Sequence, residues 1–367
     1  MRIVYVLTSL GVGGTERLVL ALATRMAERG HPVALLVLRP RLDEECSTAL
    51  DVVHLDLRKG PISLMKALLS ARSFVLRFQP GIVHSHGFHA NIFARLLRLL
   101  LPGPAVVSTI HNVYEGGRLR MLSYRLTDGL SAKTTAVSTA AAETFIRLKA
   151  VPRARCIVLT NGIDSAEFSP DAERRVAMRT AMGVGDEFIW LAAGRIVPAK
   201  DYPNLLRAFS LLRATHPSAQ LWIAGAGDPA AAKQYSLFAA VRGLVRQARW
   251  LGLRRDMPAV LDAADGFVLA SAWEGMPLAV GEAMAMEKPV VATDAGGVRE
   301  LVGDVGVMVP AGNANALAQA MLDLMNRSAQ ERQLLGRAAR ARIEAGFSME
   351  ARVDQWEALY QSLARRG

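Results

Sequence analysis

The chain has 367 residues, which is enough for two domains of about 150 residues each. Apolar residues make up 51% of it, which excludes a disordered chain. Its two cysteines, Cys46 and Cys156, are too few for a disulfide scaffold and are typical of a reduced cytosolic protein.

The positive charge is concentrated in the first part of the chain. In total, 44 Lys and Arg stand against 33 Asp and Glu. Residues 1–165 hold 21 Lys and Arg and 11 Asp and Glu, whereas residues 166–367 hold 23 and 22. Such an excess of positive charge favours a negatively charged binding partner, such as nucleic acid, anionic lipid or a phosphate-rich substrate. The sequence has no helix-turn-helix or zinc pattern, so we expect no nucleic-acid partner.

The apolar stretches determine what we expect about membranes. The run Ile3–Leu7 is too short for a secretory signal. Residues 96–107 are interrupted by Arg98 and Pro102 and fall short of the ~18–20 residues of a transmembrane helix. We expect a cytoplasmic protein, and a peripheral position at the inner face of the cytoplasmic membrane stays open.

The first half of the chain alternates strands and helices. Ile3–Leu7 predicts a strand buried on both faces. A glycine turn follows at 11–14, and residues 15–29 show helical spacing of Leu18, Leu22 and Met26. Further strands are predicted at 33–38, 82–84, 106–110, 135–137 and 156–159. A strand, a crossover helix and a second strand form a βαβ unit.

The alternation starts again after a polar stretch that ends near residue 186. Strands are predicted at 188–193, 221–224, 249–251, 266–269 and 290–293. The segment 349–365 predicts an amphipathic helix. Repeated alternation predicts an α/β fold of two doubly wound, Rossmann-like parallel-sheet domains. Because ligands of such sheets bind beyond the carboxyl ends of the strands, we expect the chemistry in the loops that follow them.

A glycine loop, Gly11-Val-Gly13-Gly14, follows the first strand and opens a helix. Glycines let backbone N–H groups approach a phosphate, and a helix N-terminus favours an anion. A tight turn without a ligand is the alternative. Because position 16 is Glu and the second strand ends at Arg39, the loop lacks the dinucleotide pattern and argues against a dehydrogenase.

Two cations, Arg195 and Lys200, follow the predicted strand at 188–193. Arg can bind a diphosphate through its planar fork and Lys as a point charge. The alternative is a pair of solvated surface cations. Their position after a buried strand favours phosphate binding.

The strongest motif is Glu274-Gly-Met-Pro-Leu-Ala-Val-Gly-Glu282. Pro277 fits the first position of a helix, so the backbone N–H groups of Met276, Leu278 and Ala279 are expected to be free for an anion. Glu274 and Glu282 can accept hydrogen bonds from sugar hydroxyls. The alternative, acids that stabilise the helix dipole, suits Glu274 better than Glu282.

Four histidines form the remaining polar cluster. His84, His86 and His89 are expected at the end of one strand, and His111 after the next. A metal site is conceivable for such a set, but no cysteine pair or carboxylate cluster joins them in sequence. We expect no metal. Polar packing is the alternative to contact with a substrate.

Taken together, these motifs give the sequence a resemblance to retaining glycosyltransferases of family four, which have the GT-B architecture. The order of motifs is Gly13-Gly14-x-Glu16, Asn161-Gly-Ile-Asp164, Arg195 with Lys200, Glu274-x7-Glu282 and Gly296-Gly297-x-x-Glu300. The resemblance covers almost the whole chain. It implies an acceptor-binding domain of residues 1–165 plus 349–367 and a nucleotide-sugar-binding domain of residues 166–348, facing a cleft.

The resemblance also implies roles for single residues. Arg195 and Lys200 would neutralise the donor diphosphate, Glu282 would bind the ribose, and Glu274 would lie near the donor sugar. His111 would lie near the transferred sugar, which makes Glu274, Arg195, Lys200 and His111 the expected catalytic set. The remaining donor-binding residues would be Gly13, Gly14, Arg254, Gly275, Met276, Pro277, Leu278 and Glu282. Glu16, His86 and Asn112 would lie on the acceptor side.

The family mechanism implied here needs no metal and no cofactor other than the nucleotide sugar as substrate. Departure of a nucleoside diphosphate develops negative charge, which Arg195, Lys200 and a helix N-terminus can neutralise. Attack from the front face, with the departing phosphate helping to take the acceptor proton, explains why no side-chain nucleophile is evident.

The resemblance implies a base pocket near the loop after the predicted strand at 249–251, and charge then predicts the nucleobase and the acceptor. Arg254 and Arg255 can bind the carbonyls of uracil, which favours a UDP-sugar. Asp256 can bind the N–H groups of guanine, so a GDP-mannose-dependent mannosyltransferase is the alternative.

The acceptor is predicted from basic residues that interleave with apolar ones in the first half of the chain. These basic residues are Lys66, Arg72, Arg77, Arg95 and Arg98. Such helices can lie on anionic lipid, so we expect a lipid-linked glycan acceptor, as in lipopolysaccharide or exopolysaccharide assembly. Ordinary solvated helices are the alternative.

Three rival functions stay open, and charge alone suggests the third, a nucleic-acid binder. One is another GT-B enzyme, such as an epimerase or a phosphorylase, and a phosphorylase would need a pyridoxal-phosphate lysine. The second is a catalytically inactive subunit that binds a partner. Inactive subunits usually lose motif residues, whereas Glu274, Glu282, Arg195 and Lys200 are all present.

Overall fold

The computed structural model describes residues 1–11, 13–41, 48–101, 103–227 and 229–364. Val12 of the glycine turn and Cys46 lie outside these ranges. Contacts divide the chain into two units, which we call unit 1 (Met1–Gly162 with Met349–Gly367) and unit 2 (Ile163–Ser348). Each unit is described by itself.

The strands and helices alternate through both units. In chain order the described strands are β1 Ile3–Leu7, β2 Val33–Val37, β3 Asp51–His54, β4 Ile82–His86, β5 Ala105–Ile110, β6 Lys133–Ala136, β7 Cys156–Val158, β8 Ile189–Ala193, β9 Gln220–Ala224, β10 Ala248–Gly252, β11 Gly266–Leu269, β12 Val290–Thr293 and β13 Val307–Val309. The described helices are α1 Gly14–Glu28, α2 Pro61–Phe78, α3 Phe88–Leu100, α4 Arg118–Thr127, α5 Thr139–Arg147, α6 Ala172–Ala181, α7 Tyr202–Leu212, α8 Pro229–Val241, α9 Met257–Ala263, α10 Leu278–Ala285, α11 Val298–Val302, α12 Ala314–Met325, α13 Ala329–Gly346 and α14 Met349–Ala364.

Unit 1 is built on a seven-stranded parallel sheet of order β3-β2-β1-β4-β5-β6-β7. Successive side chains of a strand point to opposite faces. Tyr5 and Leu7 of β1 therefore pack with α1 and α14 on one face. Val4 and Val6 pack with α2 and α3 on the other face. Every residue of β1 is buried, as expected for a strand covered on both sides.

Helix α14 belongs to unit 1 through apolar and ionic contacts. Trp356 and Tyr360 lie in the same core cluster as α1 and β1. On the surface, Arg29 pairs with three acids of α14, which are Asp354 at 2.7 Å, Glu357 at 2.9 Å and Glu350 at 3.1 Å. Surface pairs contribute little, so the buried apolar face is the main source of stabilisation, at about 25 cal/mol for each Å² removed from water.

Unit 2 is built on a six-stranded parallel sheet of order β10-β9-β8-β11-β12-β13. Its core includes Trp190 of β8, Phe209 of α7 and Met321 of α12. Strand β8 lies directly beside β11. The loops that follow these two strands are therefore neighbours at the carboxyl edge of the sheet, where ligands of such sheets bind.

Two edge strands, β3 and β13, differ from the sequence prediction, which contains neither. Both lie at the end of their sheet, where a strand has a neighbour on one side only. The residues of β3 are exposed or half-buried, and β13 is three residues long and mostly half-buried. Without a continuous apolar run, these segments give no strand signal in the sequence.

The described part of the chain holds no helix that is both long and apolar enough to span a bilayer.

Candidate functional site

In unit 2, the loop after β8 carries both predicted cations. Gly194 has φ +155°, and a Cβ atom there would lie 2.7 Å from Cε of Lys200, so glycine leaves room for the lysine stem. A short turn at Pro198–Lys200 brings this lysine back toward the strand end. Lys200 is half-buried and Arg195 is exposed. The loop therefore fixes Lys200 and leaves Arg195 facing solvent.

Lys200 is paired with Glu274, the first acid of the strongest motif. Its Nζ donates to Oε1 of Glu274 at 2.5 Å, and Ser271 Oγ donates to the same oxygen at 2.6 Å. Glu274 is 8% exposed. A buried carboxyl group needs such partners, and Lys200 and Ser271 supply them here.

Hydrogen bonds tie the two loops of this cluster together. The N–H of Ala272 donates to the carbonyl of Ala199 at 2.8 Å, and the hydroxyl of Tyr202 donates to the carbonyl of Gly194 at 2.8 Å. Thr293 at the end of β12 donates to the carbonyl of Ser271 at 2.7 Å. Three neighbouring strand ends thus hold Lys200 and Glu274 in one arrangement.

The helix inside the motif begins one residue later than the sequence predicts. Pro277 has φ −76° and ψ 110°, which is extended backbone, so it precedes α10 rather than forming its first turn. Its carbonyl accepts from the N–H groups of Val280 and Gly281. Leu278 and Ala279 begin α10, and the first N–H groups of a helix have no acceptor within the helix itself.

Glu282 lies inside α10 and is also 8% exposed. It already has an interaction partner in the described structure. The two acids of the motif therefore differ in position. Glu274 lies in the loop beside Lys200, and Glu282 lies in the second half of the helix.

In the loop after β10, the expected base-binding cation pairs with its neighbouring acid. Arg254 donates from Nε and Nη2 to the two carboxylate oxygens of Asp256, at 2.8 and 2.5 Å. Arg255 is exposed. Because Arg254 and Asp256 neutralise each other, neither residue by itself favours uracil or guanine.

The glycine loop of unit 1 is covered by its own acid. Gly13 precedes α1, Gly14 is the first helical residue, and Glu16 lies in the first turn. A Cβ atom on Gly13 would meet the carboxylate of Glu16, so glycine allows this approach. Ser9 Oγ donates to Glu16 Oε1 at 3.4 Å. The carboxylate of Glu16 therefore lies beside the glycine turn that the sequence suggested as a phosphate site.

His86 and His111 meet at the carboxyl ends of β4 and β5. His86 Nδ1 lies 3.0 Å from His111 Nε2, and one ring donates while the other accepts. Burial lowers the pKa of His111 to about 4 and holds the pKa of His86 well below its usual range. Both imidazoles are therefore neutral near pH 7.

The loop that carries His111 is held by a carboxylate that the sequence analysis missed. The backbone N–H of His111 donates to Glu115 Oε1 at 3.1 Å, and the hydroxyl of Tyr124 donates to Glu115 Oε2 at 2.6 Å. Burial raises the pKa of Glu115. Asn112, the other predicted residue of this loop, accepts from the N–H of Tyr114 at 3.4 Å and so shapes a local turn.

The prediction that His84 and His89 lie at the end of the strand is wrong for both. His84 is fully buried inside β4 and is hydrogen-bonded to Tyr360 and Thr109 at 2.6 and 2.7 Å. His89 lies in α3. The strand continues to His86, so the alternation of side chains buries His84 within the core. The described residues contain no group of three or more side chains that could hold a metal ion.

Arg95, expected on a lipid-facing surface, is fully buried. Its Nε donates to Ser131 at 2.9 Å, and its Nη2 donates to Thr134 at 2.9 Å and to Asp128 at 3.4 Å. Helical spacing shows which face of α3 carries Arg95, but it does not show whether that face packs against polar groups. In the structure, hydroxyl groups and one carboxylate hydrogen-bond to Arg95 and offset the cost of its burial.

A small cavity lies in unit 1 next to the histidine pair, with room for about one or two water molecules. Its walls are the end of β4, the chain after β5, β6 and β7, and the facing sides of α1 and α14. The lining residues are Leu18, Val19, Leu22, His86, Thr109, His111, Val137, Leu159, Thr160, Asn161, Gly162, Met349, Arg352 and Trp356. Six of these residues carry polar side chains, and a cavity of this size and polarity suits bound water.

Two family models match the sequence. Residues 12–167 match the family described as Glycosyltransferase Family 4, and residues 187–327 match the one described as Glycosyl transferases group 1. A relative in Escherichia coli, named UDP-Gal:alpha-D-GlcNAc-diphosphoundecaprenol alpha-1,3-galactosyltransferase, is 26% identical over 81% of this chain and 79% of its own length. A GDP-mannose-dependent phosphatidylinositol monomannoside mannosyltransferase of Corynebacterium glutamicum is 29% identical over 56% of each chain.

Solved structures resemble the whole chain. A sucrose-phosphate synthase of Thermosynechococcus elongatus has a TM-score of 0.88 at 21% identity and covers 100% of both chains. Anabaena HepE in complex with UDP-glucose has a TM-score of 0.87 at 19% identity, covering 99% of this chain and 100% of its own. A glycosyltransferase of Rickettsia africae has a TM-score of 0.84 at 20% identity, covering 100% and 99%. With two parallel sheets in the chain, these neighbours confirm the predicted GT-B fold.

Proposed function

The chain belongs to the GT-B glycosyltransferases of family 4, and from this premise we propose that it moves a hexosyl or N-acetylhexosaminyl group from a nucleotide sugar to a glycan, with retention at the anomeric carbon. The observation that carries the proposal is the Lys200–Glu274 pair with Ser271, held at the carboxyl ends of neighbouring strands β8 and β11. Loops at this edge of a parallel sheet are where phosphates and sugars bind.

In the proposed reaction, Lys200 and Arg195 neutralise the diphosphate that leaves the donor sugar. The lysine ammonium has three donors and gives one to Glu274, so two stay available for phosphate oxygens. Arg195 is exposed and can move to meet the ligand. Together with the N-terminus of α10, they supply the positive charge at the departing group. The proposed chemistry uses no metal ion and no cofactor besides the nucleotide sugar.

The proposed donor is a UDP-sugar. Its support is the name of the Escherichia coli relative, which uses UDP-Gal, and the UDP-glucose complex of Anabaena HepE. A GDP-mannose-dependent mannosyltransferase is the second candidate, because the Corynebacterium relative is named for that donor. The Arg254–Asp256 pair favours neither nucleobase.

The nucleobase is tested by titrating the purified protein with UDP and with GDP in a calorimeter. We expect UDP to bind at least about tenfold more tightly, which corresponds to ~1.4 kcal/mol. A hydrolysis screen over UDP-glucose, UDP-galactose, UDP-N-acetylglucosamine and GDP-mannose then identifies the sugar. Tighter binding of GDP contradicts the UDP proposal. Failure to bind either nucleotide or to turn over any donor supports the catalytically inactive subunit instead.

The proposed acceptor is a lipid-linked glycan of lipopolysaccharide or exopolysaccharide assembly, reached from the cytoplasmic face of a membrane. The Escherichia coli relative is named for a diphosphoundecaprenol-linked acceptor. On α4, Leu119 and Leu126 are 81% and 74% exposed. Arg118, Arg120 and Arg125 of the same helix are exposed too, and α4 contains no acid. Exposed leucines among cations suit the surface of an anionic bilayer.

A further inference from the structure

In unit 1, an arginine in the first turn of α4 is held in place by groups that carry no negative charge. The guanidinium of Arg120 lies 4.7 Å from the centre of the Phe88 ring, which is within cation–π range. Its Nη1 donates to the carbonyl of Glu115 at 2.7 Å. Gly116 has φ +121°, and a Cβ atom there would overlap the side chain of Arg120, so glycine leaves room for the arginine stem. A ring, a carbonyl and a glycine therefore set the orientation of Arg120.

Two further basic side chains lie near Arg120 at the carboxyl edge of the sheet. His89 follows Phe88 in the first turn of α3, and the two rings are 5.2 Å apart. Arg39 follows β2, and its backbone N–H donates to the carbonyl of Thr8 at 3.0 Å. Partial burial lowers the pKa of His89, and the charges of Arg120 and Arg39 lower it further. Both arginines are therefore within electrostatic reach of one imidazole, and we call Arg39, His89 and Arg120 the basic cluster.

Among the residues that the structure describes, no acid forms an ion pair with the basic cluster. Helices α3 and α4 contain no Asp or Glu. Glu115 is within electrostatic reach of Arg120, but its carboxylate accepts from the hydroxyl of Tyr124 and from the N–H of His111. A guanidinium has five N–H donors, and Arg120 uses one of them in the described structure. Cations that are in position and not neutralised favour an anionic ligand.

The position of the basic cluster indicates which anion fits. One loop leads from His111, the residue expected beside the transferred sugar, to Arg120 in α4. Leu119, the neighbour of Arg120 in α4, is 81% exposed and belongs to the proposed membrane contact. Arg120 therefore lies between the residue expected at the sugar and the residues expected at the bilayer. In a lipid-linked glycan, the group between the sugar and the lipid is a diphosphate, as in the acceptor for which the Escherichia coli relative is named.

We propose that the basic cluster binds the diphosphate of a lipid-linked acceptor, with Arg39 and Arg120 neutralising its two phosphates and a ring N–H of His89 donating to one of their oxygens. The inference rests on the proposed function, in which the acceptor is a lipid-linked glycan. Arginine suits this ligand because its planar fork pairs with phosphate oxygens. Two arginines match the two charges of a diphosphate diester, whereas the headgroup of phosphatidylglycerol carries one. The acceptor diphosphate stays intact in the transfer, and the basic cluster positions the sugar attached to it.

Binding is tested by NMR of protein labelled with ¹⁵N-histidine, in which a pH titration gives the pKa of His89 and His89→Gln assigns its signal. The main probe is N-acetylglucosamine joined to geraniol through a diphosphate. We expect this probe to raise the pKa of His89 by about 1, because a neighbouring anion stabilises the imidazolium. UDP, inorganic phosphate and vesicles of phosphatidylglycerol at the same phosphate concentration should leave the pKa unchanged.

The four probes separate the possible sources of the anion. An unchanged pKa of His89 with the diphosphate-linked sugar overturns the proposal. An equal rise with phosphatidylglycerol overturns it in favour of a general lipid headgroup site. An equal rise with UDP or with inorganic phosphate overturns it in favour of a site that does not distinguish the acceptor.

Transfer kinetics give a second readout, with the donor that the hydrolysis screen identifies. The two acceptors are the diphosphate-linked sugar and N-acetylglucosamine joined to geraniol directly. We expect Arg39→Ala and Arg120→Ala each to raise KM for the diphosphate-linked acceptor by about tenfold, and to change KM for the direct conjugate by less than about 3-fold. Arg120→Lys keeps the charge without the fork and should recover part of the loss. Equal increases in KM for the two acceptors overturn the proposal.

Matched variants separate binding from folding and from net charge. Arg147→Ala removes an exposed arginine from α5 of the same unit and should leave KM for both acceptors unchanged. Arg39 is exposed too, so Arg39→Ala keeps the test valid if Arg120→Ala lowers the melting temperature. If His89 responds to the diphosphate-linked sugar but the protein hydrolyses no nucleotide sugar, the proposed function fails and the basic cluster stands. If the protein transfers sugar equally well to both acceptors, the proposed function stands and the basic cluster fails.

Discussion

At the residue scale, Lys200 and Arg195 behave as different kinds of cation although the sequence presents them as a pair. Lys200 is packed over Gly194 and bonded to Glu274. Arg195 is exposed and makes no ion pair within the described ranges. The side chain of Lys200 is therefore already in position before a ligand binds, whereas the side chain of Arg195 becomes ordered when the ligand binds. The two substitutions should separate stability from rate.

We expect Arg195→Ala to lower the transfer rate by about 100-fold and to change the free energy of unfolding by less than about 0.5 kcal/mol. Lys200→Ala should lower the rate similarly and also cost about 1–3 kcal/mol, because Glu274 loses its cation while it stays buried. Urea unfolding and donor hydrolysis measure the two effects. Arg337→Ala, which removes an exposed cation from α13, is the control for net charge. Normal turnover of Arg195→Ala, or unchanged stability of Lys200→Ala, contradicts this assignment.

The sequence predicts where several site residues lie, but it does not predict which of them are paired. It places Glu274, Lys200, His86 and His111 at strand ends, because a buried run followed by a polar residue marks the carboxyl edge of a sheet. It does not reveal which polar groups pair, since pairing joins residues 74 apart in Lys200–Glu274. Ser271 and Glu115 carry no motif that signals them. For Ser271, its place three residues before Glu274 is the one available hint.

At the element scale, prediction succeeds where burial is continuous. β1, β11 and β12 match the prediction to the residue, because every side chain in them is buried. β3 and β13 are missed because edge strands keep polar or half-exposed residues. The start of α10 is misplaced because Pro277 fits the first turn and also the extended residue before it.

Helix α4 is the element that tests the proposed membrane contact. Replacing Leu119, Leu122 and Leu126 together by Ser should reduce sedimentation with vesicles of phosphatidylglycerol by at least about tenfold, because each buried leucine contributes roughly 1.5–3 kcal/mol. Binding of the unchanged protein should also weaken from 0.05 to 0.5 M salt, since ions screen the arginines. Both effects are measured in one vesicle assay.

The matched control for α4 lies in unit 2. Leu237, Val241 and Val245 are as exposed as the α4 leucines, and their triple replacement by Ser should leave vesicle binding unchanged. The proposed membrane contact of α4 is contradicted if the unchanged protein does not sediment with the vesicles at low salt. It is also contradicted if both triple variants lose vesicle binding equally.

At the scale of the whole molecule, the histidines make stability depend on pH. His84, His86 and His111 are neutral in the folded chain because burial lowers each pKa, whereas an unfolded histidine has a pKa of about 6.5. Below pH 6.5 the unfolded chain binds protons that the folded chain does not. The contribution of the histidines is therefore complete above pH 6.5 and is lost as pH falls toward about 4. Glu115, whose pKa is raised, opposes part of this loss at the acidic end.

We expect unit 1, which contains these residues, to open before unit 2 as pH falls from 6.5 to about 4. Calorimetry at a series of pH values measures the loss, and limited proteolysis with mass spectrometry identifies the unit that is cut first. The expected loss is on the order of 1–3 kcal/mol. A melting temperature that does not change over this range contradicts the prediction, as does earlier cleavage within Ile163–Ser348.

The architecture as a whole is more predictable than the site. Two rounds of strand–helix alternation suffice for two parallel-sheet units, because short connections and right-handed crossovers leave few topologies. The role of the excess charge is less predictable. Arg95 counts toward the basic total of residues 1–165 but is buried against Asp128, so it adds nothing to the surface that a membrane would meet.

The return of α14 to unit 1 also sets the order in which the chain can fold during synthesis. The side chains of Val353, Trp356, Tyr360 and Leu363 complete the core cluster around β1 and α1, yet they are translated after all of Ile163–Ser348. At 5–20 residues per second, that stretch takes on the order of 10–40 s to synthesise. Unit 2, which is continuous in sequence, can be complete while one apolar face of unit 1 still lacks its cover. The nascent chain therefore presents that face to chaperones until α14 leaves the ribosome.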